Sequence, residues 1–131
     1  MTETPPAKPQ RSARLVFTQA VLFLEAFAAL FAVLAIYGLS RAGVVDIAAG
    51  WLWPAGLGLA VALALAAGMQ ARPGALVLGS VLQAPMLAAV VVSPPVAVVG
   101  VMFVVLWVTA IRLGGRIDRE RAERNTGESS T

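Results

Sequence analysis

From Pro73 to Ile111 the chain carries not one charged residue. As a single helix those 39 residues would be ~58 Å long, nearly twice the ~30 Å hydrocarbon core of a bilayer. So apolar a stretch has no place on the surface of a soluble domain, and it is too long to cross a membrane once. It must double back. Ser93-Pro94-Pro95 marks the reversal, because proline cannot continue the helix that precedes it. The sequence therefore predicts a third membrane span near 75–92 and a fourth near 96–113, joined by a tight hairpin.

Two more apolar blocks come before it. Leu15 to Leu39 is 25 residues long, with Glu25 as its one ionisable group before the closing tyrosine. A helix of about 20 apolar residues suffices to cross a bilayer, so this block is the first span, about 15–39. The second runs from about Trp51 to Ala71 (51–71), with Pro54 placed in its first turn, where a missing N–H is harmless. The alternation in LGLAVALALAA resembles a strand, but in lipid every backbone group must be satisfied within the segment, which selects the helix. Gly56, Ala60, Ala64 and Gly68 fall at four-residue spacing, a small-residue stripe that lets two helix backbones approach closely. Tyr37, Trp51 and Trp53 flank the Ser40–Gly50 connection and read as an interfacial aromatic belt rather than a ligand cage.

Composition agrees. Hydrophobic residues make up 59% and charged residues 13% of the 131 residues, roughly half the charge of an ordinary soluble domain. The chain has no Cys and no His, which excludes disulfides, thiolate catalysis, imidazole bases and Cys/His metal sites. The first block is too long for a usual signal-peptide core and carries a glutamate, so it is read as a span that is retained. Residues 1–14 read as a disordered cytoplasmic tail with a basic collar of Lys8, Arg11 and Arg14, and residues 114–131 as a charged cytoplasmic tail. In that second tail Arg116–Glu120, Arg119–Glu123 and Glu120–Arg124 stand at helical i, i+4 spacing, as in a short solvated helix. If the amino terminus is inside, nine of the ten basic residues lie inside and only Arg41 lies outside, a strong positive-inside bias. The expected fold is all-α: a four-helix transmembrane bundle, up-down-up-down, both termini cytoplasmic, in the plasma membrane.

Glu25 is the candidate site. A carboxyl at bilayer depth costs ~3 kcal/mol on insertion scales, so it should face protein rather than lipid. At 100° per residue Thr18, Val21, Ala28, Ala29, Ala32 and Ile36 share its side, while Phe23, Phe27, Leu30, Phe31 and Leu34 lie opposite. The third span carries Gly79, Ser80 and Gln83 on one face, with an internal Pro85 that should kink the helix or free an acceptor. Glu25 lies ~15 Å and Gln83 ~12 Å along parallel spans. They are therefore expected to pair near the midplane, with Glu25 protonated because desolvation disfavours the carboxylate. Glu25, Gln83, Thr18 and Ser80 make up the candidate intramembrane polar site, with no cofactor, no metal and no catalytic residue assigned.

Three features carry a family resemblance: Leu24-Glu25-Ala26 in the first span, Arg72-Pro73-Gly74 leading to Gly79 and Gln83, and the run Phe103-Val104-Val105-Leu106-Trp107-Val108 followed by Arg112-Leu113-Gly114-Gly115-Arg116. In their order and spacing, residues 14 to about 118 resemble an actinobacterial family of small integral membrane proteins, domain of unknown function 4233. The resemblance implies four spans in a plasma membrane, and it supplies no activity or catalytic residue. Its genes often neighbour a folylpolyglutamate synthase gene, a hint at a pathway only. The functional expectation is a non-enzymatic structural or accessory membrane component. The alternative is a small proton-coupled transporter using Glu25, since four spans with such a glutamate resemble small multidrug exporters. An intramembrane enzyme would need a second catalytic group at that depth, where only Gln and Thr are on offer. Expected surroundings are the lipid bilayer and no nucleic acid, with a homo-oligomer or a membrane protein partner left open.

Overall fold

A computed structural model describes residues 5, 6, 8–88 and 94–130. Four helices follow one another: α1 Ala13–Arg41, α2 Ala49–Gly68, α3 Ala75–Ala88 and α4 Pro94–Ser129. The described residues contain no strand. Helices α1, α2 and α4 are long and apolar enough to cross a membrane, whereas α3 is a shorter apolar helix of 14 residues.

The helices run up-down-up-down. α1 packs on α2 and α4, and α3 packs on the same two, so α1 and α3 stand at opposite corners. The core joins Val21, Leu22, Ala26 and Ala29 of α1 to Leu63, Ala66 and Ala67 of α2 and to Trp107 and Ala110 of α4. Phe23, Phe27, Phe31 and Leu34, the bulky face expected of the first span, are exposed. An outer surface of phenylalanine and leucine is what lipid requires and water penalises.

The ends of the elements follow from local chemistry. Ser12 caps α1, its Oγ accepting from the Leu15 N–H at 3.4 Å. Gly43 at φ 72° and Gly74 at φ 83° take the left-handed conformation that the two short connections need. Beside the connection between α1 and α2 the Tyr37 and Trp53 rings meet at 5.4 Å, and Trp51 is exposed.

Several boundaries differ from the sequence reading. α2 begins at Ala49 rather than Trp51, which puts Pro54 in the second turn and deprives the exposed Gly50 carbonyl of its helical donor. It ends at Gly68 rather than Ala71, because Met69 to Gly74 form the turn. α3 is described to Ala88, and Pro85 lies within it on an exposed position. The hairpin expected at Ser93-Pro94-Pro95 falls partly outside the described residues; Pro94 and Pro95 open α4, where prolines fit the first turn. α4 does not stop near 113. It runs on through Gly114 and Gly115 to Ser129, so the expected short tail helix is the continuation of the fourth span.

The small-residue stripe of α2 is used inside the chain for three of its four members. Gly56 lies against the Val33 side chain, where any Cβ would collide, and Ala60 and Ala64 pack against the core. Gly68 is exposed with nothing near it, because the buried face of α2 turns through Leu63, Ala66 and Ala67 instead.

Candidate functional site

Glu25 is fully buried and Gln83 is 5% exposed. Gln83 Nε2 donates to Glu25 Oε2 at 2.7 Å, a contact between diagonal helices. On α1, Ala26 and Ala29 are buried beside Glu25, and Val21 and Leu22 are buried one turn before it. The bond satisfies one atom of each group. Glu25 Oε1 and Gln83 Oε1 are buried without a partner.

The two remaining members of the sequence-derived site are not brought to this pair. Thr18 is buried two turns earlier on α1, and its hydroxyl donates to the Arg14 carbonyl at 2.8 Å and the Leu15 carbonyl at 3.2 Å. A threonine satisfied by its own preceding turn has no donor left for a neighbour. Ser80 is exposed; its Oγ donates to the Leu76 carbonyl at 2.8 Å and accepts from Trp107 Nε1 at 3.2 Å. It serves Trp107, whose ring lies over Gly79 so closely that a methyl there would run into it.

Two polar residues were missed by sequence reasoning. Gln70, in the turn after α2, is buried, and its Nε2 donates to the Ala66 carbonyl at 3.2 Å and the Ala75 carbonyl at 3.3 Å. It ties the end of α2 to the start of α3. Asp118 of α4 accepts from the Ser12 hydroxyl, from the Ala13 N–H at 2.7 Å and from the Arg14 N–H at 3.1 Å. An acid from one helix thus binds the free N–H groups at the start of another, complementing its dipole. Gly114, one turn earlier on α4, lies against the Arg14 backbone and leaves room for this approach. The Ser12 hydroxyl, and then the backbone donors of Ala13 and Arg14, hold the Asp118 carboxyl below its ordinary range.

Four clefts among the described residues border the bundle. One of about 590 Å³ is almost wholly apolar, between Ala29 and Ile36 of α1 and Leu52 and Gly56 of α2. The others gather at the end where Ser12 meets Asp118. None of the four is lined by Glu25 or Gln83. The arrangement can hold two helices in register, with the carboxyl one turn from the apolar cleft at Ala28, Ala29 and Met86 and not itself among the residues that line it.

Against known families, the chain matches the model for a protein of unknown function, DUF4233, over residues 16–123. No curated protein and no solved structure matches it. The matched stretch takes in Glu25, Gln83, Gly114 and Asp118 and leaves out Ser12 to Arg14.

Proposed function

We propose that this chain, which belongs to the DUF4233 family of proteins of unknown function, is a non-enzymatic integral membrane component in which Glu25 and Gln83 form a fixed structural tie. The observation that carries this reading is the buried 2.7 Å bond between them; neither residue lines the four clefts, although Ala28, Ala29 and Met86, one turn away, line the apolar one. A transported proton or cation needs a path to its carboxyl, and a buried polar pair needs only each other.

In this reading the carboxyl is neutral. With an ionised Glu25, both unpartnered oxygens are acceptors facing no donor. A proton on the carboxyl supplies the missing donor, and an acid and a primary amide can then satisfy each other reciprocally. The chain sits in the plasma membrane with both termini in the cytoplasm, a placement supported by the nine-to-one distribution of basic residues. Ser12 and Asp118 lie at one end of the bundle, so whichever side holds one terminus holds both.

A second reading, a small proton-coupled transporter, has one observation in its favour: Glu25 Oε1 is left without a partner. Proton flux into liposomes holding the purified chain separates the two. The structural reading expects flux no greater than in empty liposomes; flux abolished by Glu25→Gln would establish the transporter instead.

A further inference from the structure

Where the apolar sequence of α4 gives way to arginines, a cleft of about 500 Å³ opens between α4 and the start of α1. Arg14 enters it from α1, and Arg112 and Arg119 from α4, with Ile111 and Gly115 between them. Asp118 also lines it, but its carboxylate already accepts from Ser12, Ala13 and Arg14 main-chain or hydroxyl donors and answers the positive end of α1. Among the described residues Arg14, Arg112 and Arg119 make no side-chain hydrogen bond or ion pair, although Glu123 stands one turn beyond Arg119. Arg116, outside the cleft, is by contrast paired with Glu120 at 2.8 Å. Gly115 adds no side chain, and the space beside it is open.

Three arginines from two helices line this one cleft, and a planar guanidinium can give a phosphate two parallel bonds, so the lining fits a phosphate. Their position adds a second requirement. One turn towards the bundle from Arg112, on the same face of α4, Val108 is apolar and 43% exposed, and Ile111 lines the cleft itself. A ligand with a phosphate at one end and a hydrocarbon chain at the other covers both surfaces; a soluble phosphate leaves the apolar one bare.

We propose that this cleft binds one anionic phospholipid, its headgroup phosphate among Arg14, Arg112 and Arg119 and its acyl chain along the Ile111 and Val108 side of α4. The site rests on the membrane reading given above, and basic pockets at the membrane boundary are a known means of holding such headgroups. It differs from the general attraction of a basic tail to an anionic surface, because it depends on which arginines are removed and not on how many.

The test is native mass spectrometry of the full chain in detergent, titrated with phosphatidylglycerol, phosphatidylcholine or glycerol phosphate. One phosphatidylglycerol should be retained, preferred over phosphatidylcholine by about tenfold or more. Arg112→Gln with Arg119→Gln should weaken it by about tenfold, whereas Arg72→Gln with Arg124→Gln, an equal loss of charge outside the cleft, should change it by less than about twofold. Arg112→Lys with Arg119→Lys, which keeps the charge and removes the planar forks, should lose about threefold and guards against a folding failure in the glutamine variant. Equal losses in the two glutamine variants would overturn the site in favour of a diffuse field. Displacement of the lipid by equimolar glycerol phosphate would overturn it in favour of a soluble anion. A failed membrane reading would show separately, as a chain that stays in solution without detergent.

Discussion

Gln83 Nε2 lies 2.7 Å from Glu25 Oε2, joining α1 to α3 across the diagonal of the bundle. Neighbouring pairs meet through packing and polar contacts of their own, Asp118 with Ser12 between α1 and α4 and Trp107 with Ser80 between α3 and α4, whereas this bond joins two helices that are not neighbours. It fixes how far α3 stands along α1. In an apolar core, sliding either helix by one turn would leave both groups buried and unpaired, at a cost of several kcal/mol for the carboxyl alone if ionised. The pair therefore selects one register from several that Ala, Val and Leu surfaces would tolerate.

Topology is open to direct labelling, because the chain has no native cysteine. Single cysteines at Ala42 or Val44, exposed in the connection between α1 and α2, are expected to react with a membrane-impermeant maleimide from outside intact cells. A cysteine at Gln10 should react only after permeabilisation. Reversed accessibility would overturn the cytoplasmic placement of the termini.

The stripe on α2 divides into members that pack and one that does not. Ala60→Leu with Ala64→Leu inserts bulk beside the core, and overpacking typically costs about 1–3 kcal/mol. The melting temperature of the detergent-solubilised monomer should fall. Gly68→Ala, at an exposed position with open space around it, should leave it unchanged or slightly raised. A double variant that kept its melting temperature and lost only self-association would mean that the stripe works between copies.

Asp118 gives the docking of α1 on α4 a pH dependence of definite sign. Its carboxyl is held below the ordinary range first by the Ser12 hydroxyl, then by the Ala13 and Arg14 N–H groups and by the charge of Arg121. A group whose folded value is lowered contributes stability that is present above its unfolded value and is lost as pH falls through the folded one. Asp118→Asn should therefore lower stability at neutral pH, by about 1 kcal/mol if it acts as a helix cap. The gap between variant and wild type should close under acid conditions. A gap that persisted unchanged through the acid limb would show that Asp118 contributes shape and not charge.

The four helices were legible because a bilayer allows so few ways to bury charge-free stretches of these lengths. Glu25 and Gln83 could be paired for the same reason: two polar residues at matching depth had few other partners. What could not be read depends on contacts far apart in sequence or on continuity without hydropathy. Asp118 meets Ala13 across 105 residues with no local signal at either end. α4 runs to Ser129 because helix formation does not need the apolar residues that end near Leu113, and Gly114 within it serves the close approach of the Arg14 backbone. Gln70 falls near the end of the span expected over 51–71, and only the fold shows it holding carbonyls of both α2 and α3. Ser80 was grouped with Gln83 by helical spacing, yet its hydroxyl belongs to Trp107.

The tie between Glu25 and Gln83 is tested most directly by a double-mutant cycle, with unfolding free energies measured for wild type, Glu25→Leu, Gln83→Leu and the double variant in the same detergent. Polar pairs between membrane helices couple by about 0.6–2 kcal/mol. A favourable coupling in that range is expected, the double variant losing less than the sum of the two single losses, since each single variant leaves one buried polar group alone. Additive losses, with no coupling between the two positions, would contradict it.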